Sequence, residues 1–157
     1  MSQADPFLVW LNENIPLTRV MGISSCQYHS GQLTLSAPLS VNINDKGTGF
    51  AGATTALATL AGWSLITRYT QDSGLEAEVM IVESQVRYLR PVTADFTASV
   101  CLPDAETCRG FLQQLQQRGK ARLTLEVSIQ EQGQPVLLLD GEYLARLKQD
   151  KTPPAIS

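Results

Sequence analysis

At 157 residues, with 43% hydrophobic and 17% charged side chains, the chain suits one globular domain with its own core rather than two. A net charge of -3, a pI near 5.1 and the lack of any Lys/Arg block argue against a nucleic-acid partner. The opening MSQADPFLVW has no basic run followed by an apolar one, so no signal peptide is expected, and no other stretch is apolar enough to cross a membrane.

Taken in chain order, PFLVWLNEN at 6–14 reads as a short helix with Pro6 in its first position and Phe7, Trp10 and Leu11 on one face. A strand is expected over Gly22–Tyr28. The turn residues HSG follow at 29–31, and QLTLSA at 32–37 alternates as a second strand. The long segment NINDKGTGFAGATTALATLAGW then opens with glycine-punctuated turn chemistry. From Gly47 through Thr67 it has no acidic, basic or histidine residue. Its threonines and glycines make it too polar to span a bilayer, so it reads as a buried helix. Thr48 is its expected cap, Tyr69 its approximate end, and Arg68 lies in the last turn to suit the dipole.

Val79–Pro91 predicts a long strand with Glu83, Gln85 and Arg87 on one face and Val82, Val86 and Tyr88 on the other. ADFTASVCLP alternates Phe96, Ala98, Val100 and Leu102 inward. Asp104 caps a small helix carrying Phe111, Leu112 and Leu115, which Gly119 stops. ARLTLEVSIQEQG has strict period two through Leu123, Leu125, Val127 and Ile129. QPVLLLDGEYLARL closes as its partner, with a bulge expected near Gly141. Cys26, Cys101 and Cys108 form no CxxC pair and no even framework, which predicts free packing thiols in a reducing, cytoplasmic setting.

This order has no βαβ alternation, so the sheet should be antiparallel, in an α+β class. A helix apolar nearly all round must be wrapped, and a curved antiparallel sheet around one long central helix does that. Gly49, Gly52 and Gly62 are expected to let strands come close. Residues 1–147 form the expected domain and 148–157 a loose tail.

Asn44, Gly47, Phe50, Ala51 and Gly52 entering the helix, then YLRPV at 88–92, resemble the hotdog thioesterase superfamily. NDKGTGFAGA, LAGW and YLRPV in this order are similar to its YiiD C-terminal type, from about Pro6 to Arg146. The resemblance implies a hotdog fold, at least a homodimer or a dimer of dimers, and a site shared between protomers. It also implies an acyl thioester substrate on acyl carrier protein or coenzyme A, whose phosphopantetheine arm is part of the substrate. No separate cofactor and no metal is expected.

Backbone N–H groups at a helix start can hold a thioester oxygen as it gains charge, and glycines keep Cβ atoms clear of it. The resemblance makes Asn44 the assisting side chain. It also places an acid fifteen residues later, where this chain has Thr59. A hydroxyl offers no base near pH 7, and Phe50 stands where many members carry His, so ordinary hydrolysis would need Asp45 or Glu83 to take over.

Loss of CO₂ from a malonyl thioester needs an oxyanion site but no base, and resemblance to this subgroup implies malonyl–acyl-carrier-protein decarboxylation, linked to the start of fatty-acid synthesis. Asn44 and Thr59 are then the candidate catalytic residues. Gly47, Phe50, Ala51, Gly52, Asp45, Gln85, Arg87 and Arg90 are the candidate substrate contacts. A thioesterase and a non-catalytic acyl-carrier binding module are the competing readings. Read without the resemblance, Asn44 and Asp45 are turn formers, Thr59 bonds its own helix, His29 is exposed, and Arg87 and Arg90 are solvated.

Overall fold

The computed structural model describes residues 5–149. In chain order the elements are α1 (Pro6–Asn14), α2 (Leu17–Val20), β1 (Ser25–His29), β2 (Gln32–Ala37) and α3 (Ala51–Asp72). There follow β3 (Ala77–Tyr88), β4 (Phe96–Cys101), α4 (Ala105–Arg118), β5 (Lys120–Glu131) and β6 (Gln134–Leu147). Six strands form one antiparallel sheet in the order β1-β2-β4-β5-β6-β3. α3 packs against β2 through β6, and α4 covers its far end, where Tyr69 and Phe111 stack. The curved sheet around one long helix is therefore present.

Periodicity explains most of this. Leu123, Leu125, Val127 and Ile129 of β5 face the core, as do Phe96, Ala98 and Val100 of β4. Leu102 lies just past β4 and is half-buried. On α3, Leu57, Ala58, Ala61, Leu65 and Ile66 are fully buried on several sides, as expected for a wrapped helix. Asp104 caps α4 by accepting from the Thr107 N–H at 2.8 Å, and Gly119 ends it in the left-handed conformation.

Several expectations are corrected. α3 starts at Ala51 and its cap is Phe50, not Thr48, because the Thr48 hydroxyl is engaged by Asn44 at 2.9 Å. The helix runs on to Asp72, so Arg68 is not in its last turn. Its guanidinium lies over Phe7 and Tyr28, at 5.0 and 5.1 Å, and 3.6 Å from Asp5, tying α1 and β1 to α3. β1 begins at Ser25 rather than Gly22, since Gly22 has φ +69° and turns the chain. β3 ends at Tyr88, before the N–H-less Pro91.

β6 does carry a bulge, but at Val136 rather than near Gly141: Ile129 opposes Leu137 and Gln130 opposes Pro135. A second bulge lies on β3. Ile81 opposes Tyr143 and Glu83 opposes Glu142, leaving Val82 as the extra residue, while Gly141 pairs regularly with Ser84. This shift, and the place of β3 at the edge of the sheet, leave Val82 through Gln85 all exposed instead of alternating. Gly141 and Gly62 instead make room for the Tyr143 ring, and Gly49 lies against Val92. Gly52 is covered by the ring of its own neighbour Phe50, not by a strand. Cys26 and Cys108 are buried thiols, but Cys101 is exposed at the end of β4. Of the expected tail, residues 150–157 lie outside the described residues. No described helix is long and apolar enough to cross a membrane.

Candidate active site

The loop before α3 is fixed from several sides. Asn42 is buried, donates its side-chain amide to the carbonyls of Met21 and Pro38, and accepts the Phe50 N–H on its own carbonyl at 2.7 Å. Gly49 donates its N–H to the Val92 carbonyl at 2.8 Å; a Cβ there would stand 2.8 Å from Val92 Cβ, so only glycine fits. Asn44 holds the turn from within. Its Oδ1 accepts from the N–H groups of Lys46 and Thr48 at 2.8 and 3.1 Å, and its Nδ2 donates to Thr48 Oγ1. Gly47, at φ +76°, allows the chain to reverse.

The result is a helix start without a side-chain cap. The Phe50 side chain has no oxygen to offer, while Gly49 and Phe50 have spent their N–H groups on Val92 and Asn42. The N–H groups of Ala51 and Gly52 have no partner among the described residues, and both residues are exposed. These two donors stand at the positive end of a 22-residue helix.

Two clefts meet there. One, of about 370 Å³, includes Asn44, Lys46, Ala51, Thr54, Tyr88 and Arg90. The other, of about 310 Å³, is apolar and includes Val20, Val41, Ile43, Phe50, Gly52 and Ala56. Among the described residues no Asp, Glu or His lines either. Asp45 is exposed and paired with Lys46 at 2.9 Å. A groove of about 680 Å³ on the outer face of β4 and β5, lined by residues such as Thr97, Ser99 and Ser128, is larger, but it holds none of the candidate catalytic or substrate-contact residues.

The structure thus gathers Asn44, Ala51 and Arg90 around one cleft and Phe50 and Gly52 around the other. Gly47 and Asp45 stay in the exposed loop. Gln85 and Arg87 lie on exposed β3 and line neither cleft. His29 is exposed at the end of β1. Thr59 is half-buried eight residues into α3, about 12 Å along the axis from Ala51. Its hydroxyl makes none of the hydrogen bonds found among the described residues, so it does not bond its own helix; its carbonyl accepts from Tyr143 at 2.8 Å.

Sequence reasoning missed Asn42, Lys46, Thr55 and Tyr88. Tyr88 had a signal, as the first residue of YLRPV. Its hydroxyl lies 2.6 Å from Thr55 Oγ1. Among the described residues no cluster of His, Cys, Asp and Glu is arranged to hold a metal.

The family described as "Putative thioesterase (yiiD_Cterm)" matches residues 7–147. The fold is similar to that of a protein of unknown function from Chlorobaculum tepidum, with TM-score 0.83 and 27% identity over 89% of this chain and 91% of that one. It is also similar to a putative thioesterase from Shewanella oneidensis, with TM-score 0.79 and 30% identity over 90% of this chain and 94% of that one. A thioesterase from Haemophilus influenzae, at 14% identity and TM-score 0.72 over 97% and 96%, shares the fold.

Proposed function

The chain belongs to the yiiD C-terminal family of thioesterase-type hotdog proteins, and on that footing we propose that it decarboxylates a malonyl thioester of acyl carrier protein to the acetyl thioester. One observation carries the reading: the N–H groups of Ala51 and Gly52, unpartnered among the described residues, stand between two clefts that no described carboxylate or imidazole lines. Hydrolysis needs a base to activate water, whereas the loss of CO₂ needs a held oxyanion and no base.

In this reading the thioester carbonyl oxygen accepts from Ala51 and Gly52. The C–C bond to the carboxylate breaks, its electron pair moves into the enolate, and CO₂ leaves. A good oxyanion donor stabilises such a transition state by about 2.7–4 kcal/mol. The apolar cleft beside Phe50 takes the carboxylate out of water, which favours its loss as neutral CO₂. The phosphopantetheine arm runs through the other cleft past Lys46 and Arg90, where its phosphate meets positive charge.

Asn44 sets the loop that presents the donors. Thr59 is too far along α3 to reach the same carbonyl, so its part in the reaction requires a second copy of the chain. β3 offers the place for one: it is twelve residues long, lies at the sheet edge and exposes Val82. The thioesterase description of the family favours hydrolysis as the second reading.

The test supplies malonyl carrier protein and malonyl coenzyme A to the purified protein and follows CO₂ release together with product mass. Acetyl carrier protein with equimolar CO₂ supports the reading. Free thiol without CO₂ supports hydrolysis instead, and an unchanged malonyl thioester means a binding module.

A further inference from the structure

An enolate must be protonated on carbon, and we propose that Tyr88, with Thr55 behind it, is the proton donor. The inference rests on the decarboxylation reading and adds the acid that reading lacks. Tyr88 is the last residue of β3 and Thr55 lies four residues into α3 from Ala51, on the same helix face. Their hydroxyls meet at 2.6 Å, and Tyr88 lines the cleft that Ala51 and Asn44 also line.

The contrast with neighbouring groups gives this pair its meaning. Thr54, Thr67 and Thr70 bond back to carbonyls of α3 at Ala51, Trp63 and Thr67, the usual use of a mid-helix hydroxyl. Thr55 turns outward to a phenol instead. Tyr143 is fully buried and spends its hydroxyl on the Thr59 carbonyl, whereas Tyr88 is 57% exposed. The Tyr88 ring is therefore not core packing, and the residue lines the cleft instead.

The step balances as follows. After CO₂ leaves, the enolate α-carbon takes the proton of Tyr88 Oη; a C–H bond forms and the O–H bond breaks. The Thr55 hydroxyl donates to the phenolate while water returns a proton to it. The sum is malonyl thioester plus one proton giving acetyl thioester plus CO₂. A phenol is a far stronger acid than the α-carbon of a thioester, so transfer runs toward product.

Tyr88→Phe keeps the ring and removes the donor. With malonyl carrier protein, its kcat should fall about 10²-fold, the lower range for a positioned general acid, while KM changes less than about twofold. Thr55→Val should lower kcat less, and Thr55→Ser should restore it. The decisive readout is the H/D ratio in the acetyl methyl group formed in equal parts H₂O and D₂O. That ratio is set by the donor, so Tyr88→Phe should move it, and a residue that only supports the fold would leave it unchanged. Wild-type kcat and wild-type H/D ratio in Tyr88→Phe overturn the assignment. A native protein that releases no CO₂ overturns the underlying reading as well, and is a separate result.

Discussion

Tyr143 donates its phenolic hydrogen to the main-chain carbonyl of Thr59 across 2.8 Å, joining the middle of β6 to the middle of α3. The contact is possible because Gly62 and Gly141 lack a Cβ where the ring passes; at Gly62 a Cβ would stand 2.5 Å from Tyr143 Cζ. A helix carbonyl already bonded within its own turn thus takes a second donor, which fixes how deeply α3 sits in the sheet. Burial raises the Tyr143 phenol well above its ordinary pKa, so this hydroxyl stays protonated and structural.

Tyr143→Phe should cost about 1 kcal/mol, the net worth of one hydrogen bond, and Gly62→Ala more, about 1–3 kcal/mol or above, through overpacking. Urea unfolding midpoints measure both. If Gly62→Ala proved the milder change, the tight seating of the ring against α3 would be wrong.

Gly49→Ala tests the loop that carries the donors. Its new Cβ meets Val92 Cβ, so the Gly49–Val92 hydrogen bond and the start of α3 must shift. A misplacement of about 1 Å can cost roughly 10²-fold in rate. Val92→Ala should recover part of that loss in the double variant, as coupled neighbours do. Additive effects in the four-way comparison of turnover would separate Gly49 from Val92.

Asn44 can be divided into its two functions. Asn44→Asp keeps an acceptor for the N–H groups of Lys46 and Thr48 but removes the Nδ2 donor, whereas Asn44→Ala removes both. If the amide only shapes the turn, Asp should keep near-native turnover and Ala should lose stability. If the amide also meets the substrate oxyanion, both should lower kcat by orders of magnitude while Asp retains the native unfolding midpoint.

The thiols give a pH prediction. Burial, with Asp5 adding to it, raises the Cys26 thiol from its ordinary 9.0 to about 11. The unfolded chain ionises at the lower value, so between about pH 9 and 11 the folded state holds more protons and stability falls as pH rises. Below that window the contribution is fully present. Cys26→Ala should flatten this part of the curve when unfolding is followed against pH. At pH 8, iodoacetamide should label exposed Cys101 well ahead of buried Cys26 and Cys108, which peptide mass spectrometry reads directly.

The periodic parts of the fold were open to sequence reading because one face of each strand is buried. β2, β5 and α1 keep the bounds or alternation their residues dictate. The start of α3 departs from the sequence expectation because a cap is expected from a hydroxyl, and Thr48 offers one. The chain instead uses the backbone of Asn42 to receive Phe50, a contact between neighbouring loop residues that leaves no mark in composition.

Gly141 drew the bulge expectation because a strand glycine often marks one. Its lack of Cβ serves Tyr143 instead, and the extra residues, Val82 on β3 and Val136 on β6, are ordinary strand formers. The turn residues around Asn44 are legible as a group. The Tyr88–Thr55 pair spans 33 residues and exists only because β3 runs back alongside α3.

The central claim is that the uncapped start of α3 stabilises an enolate rather than assisting water. Malonyl carrier protein incubated with the protein in D₂O enriched in ¹⁸O tests it in one mass spectrum. The account predicts an acetyl thioester still on the carrier, with deuterium in its methyl group and no ¹⁸O in its carbonyl. Malonate carrying ¹⁸O, together with free carrier thiol, would contradict it.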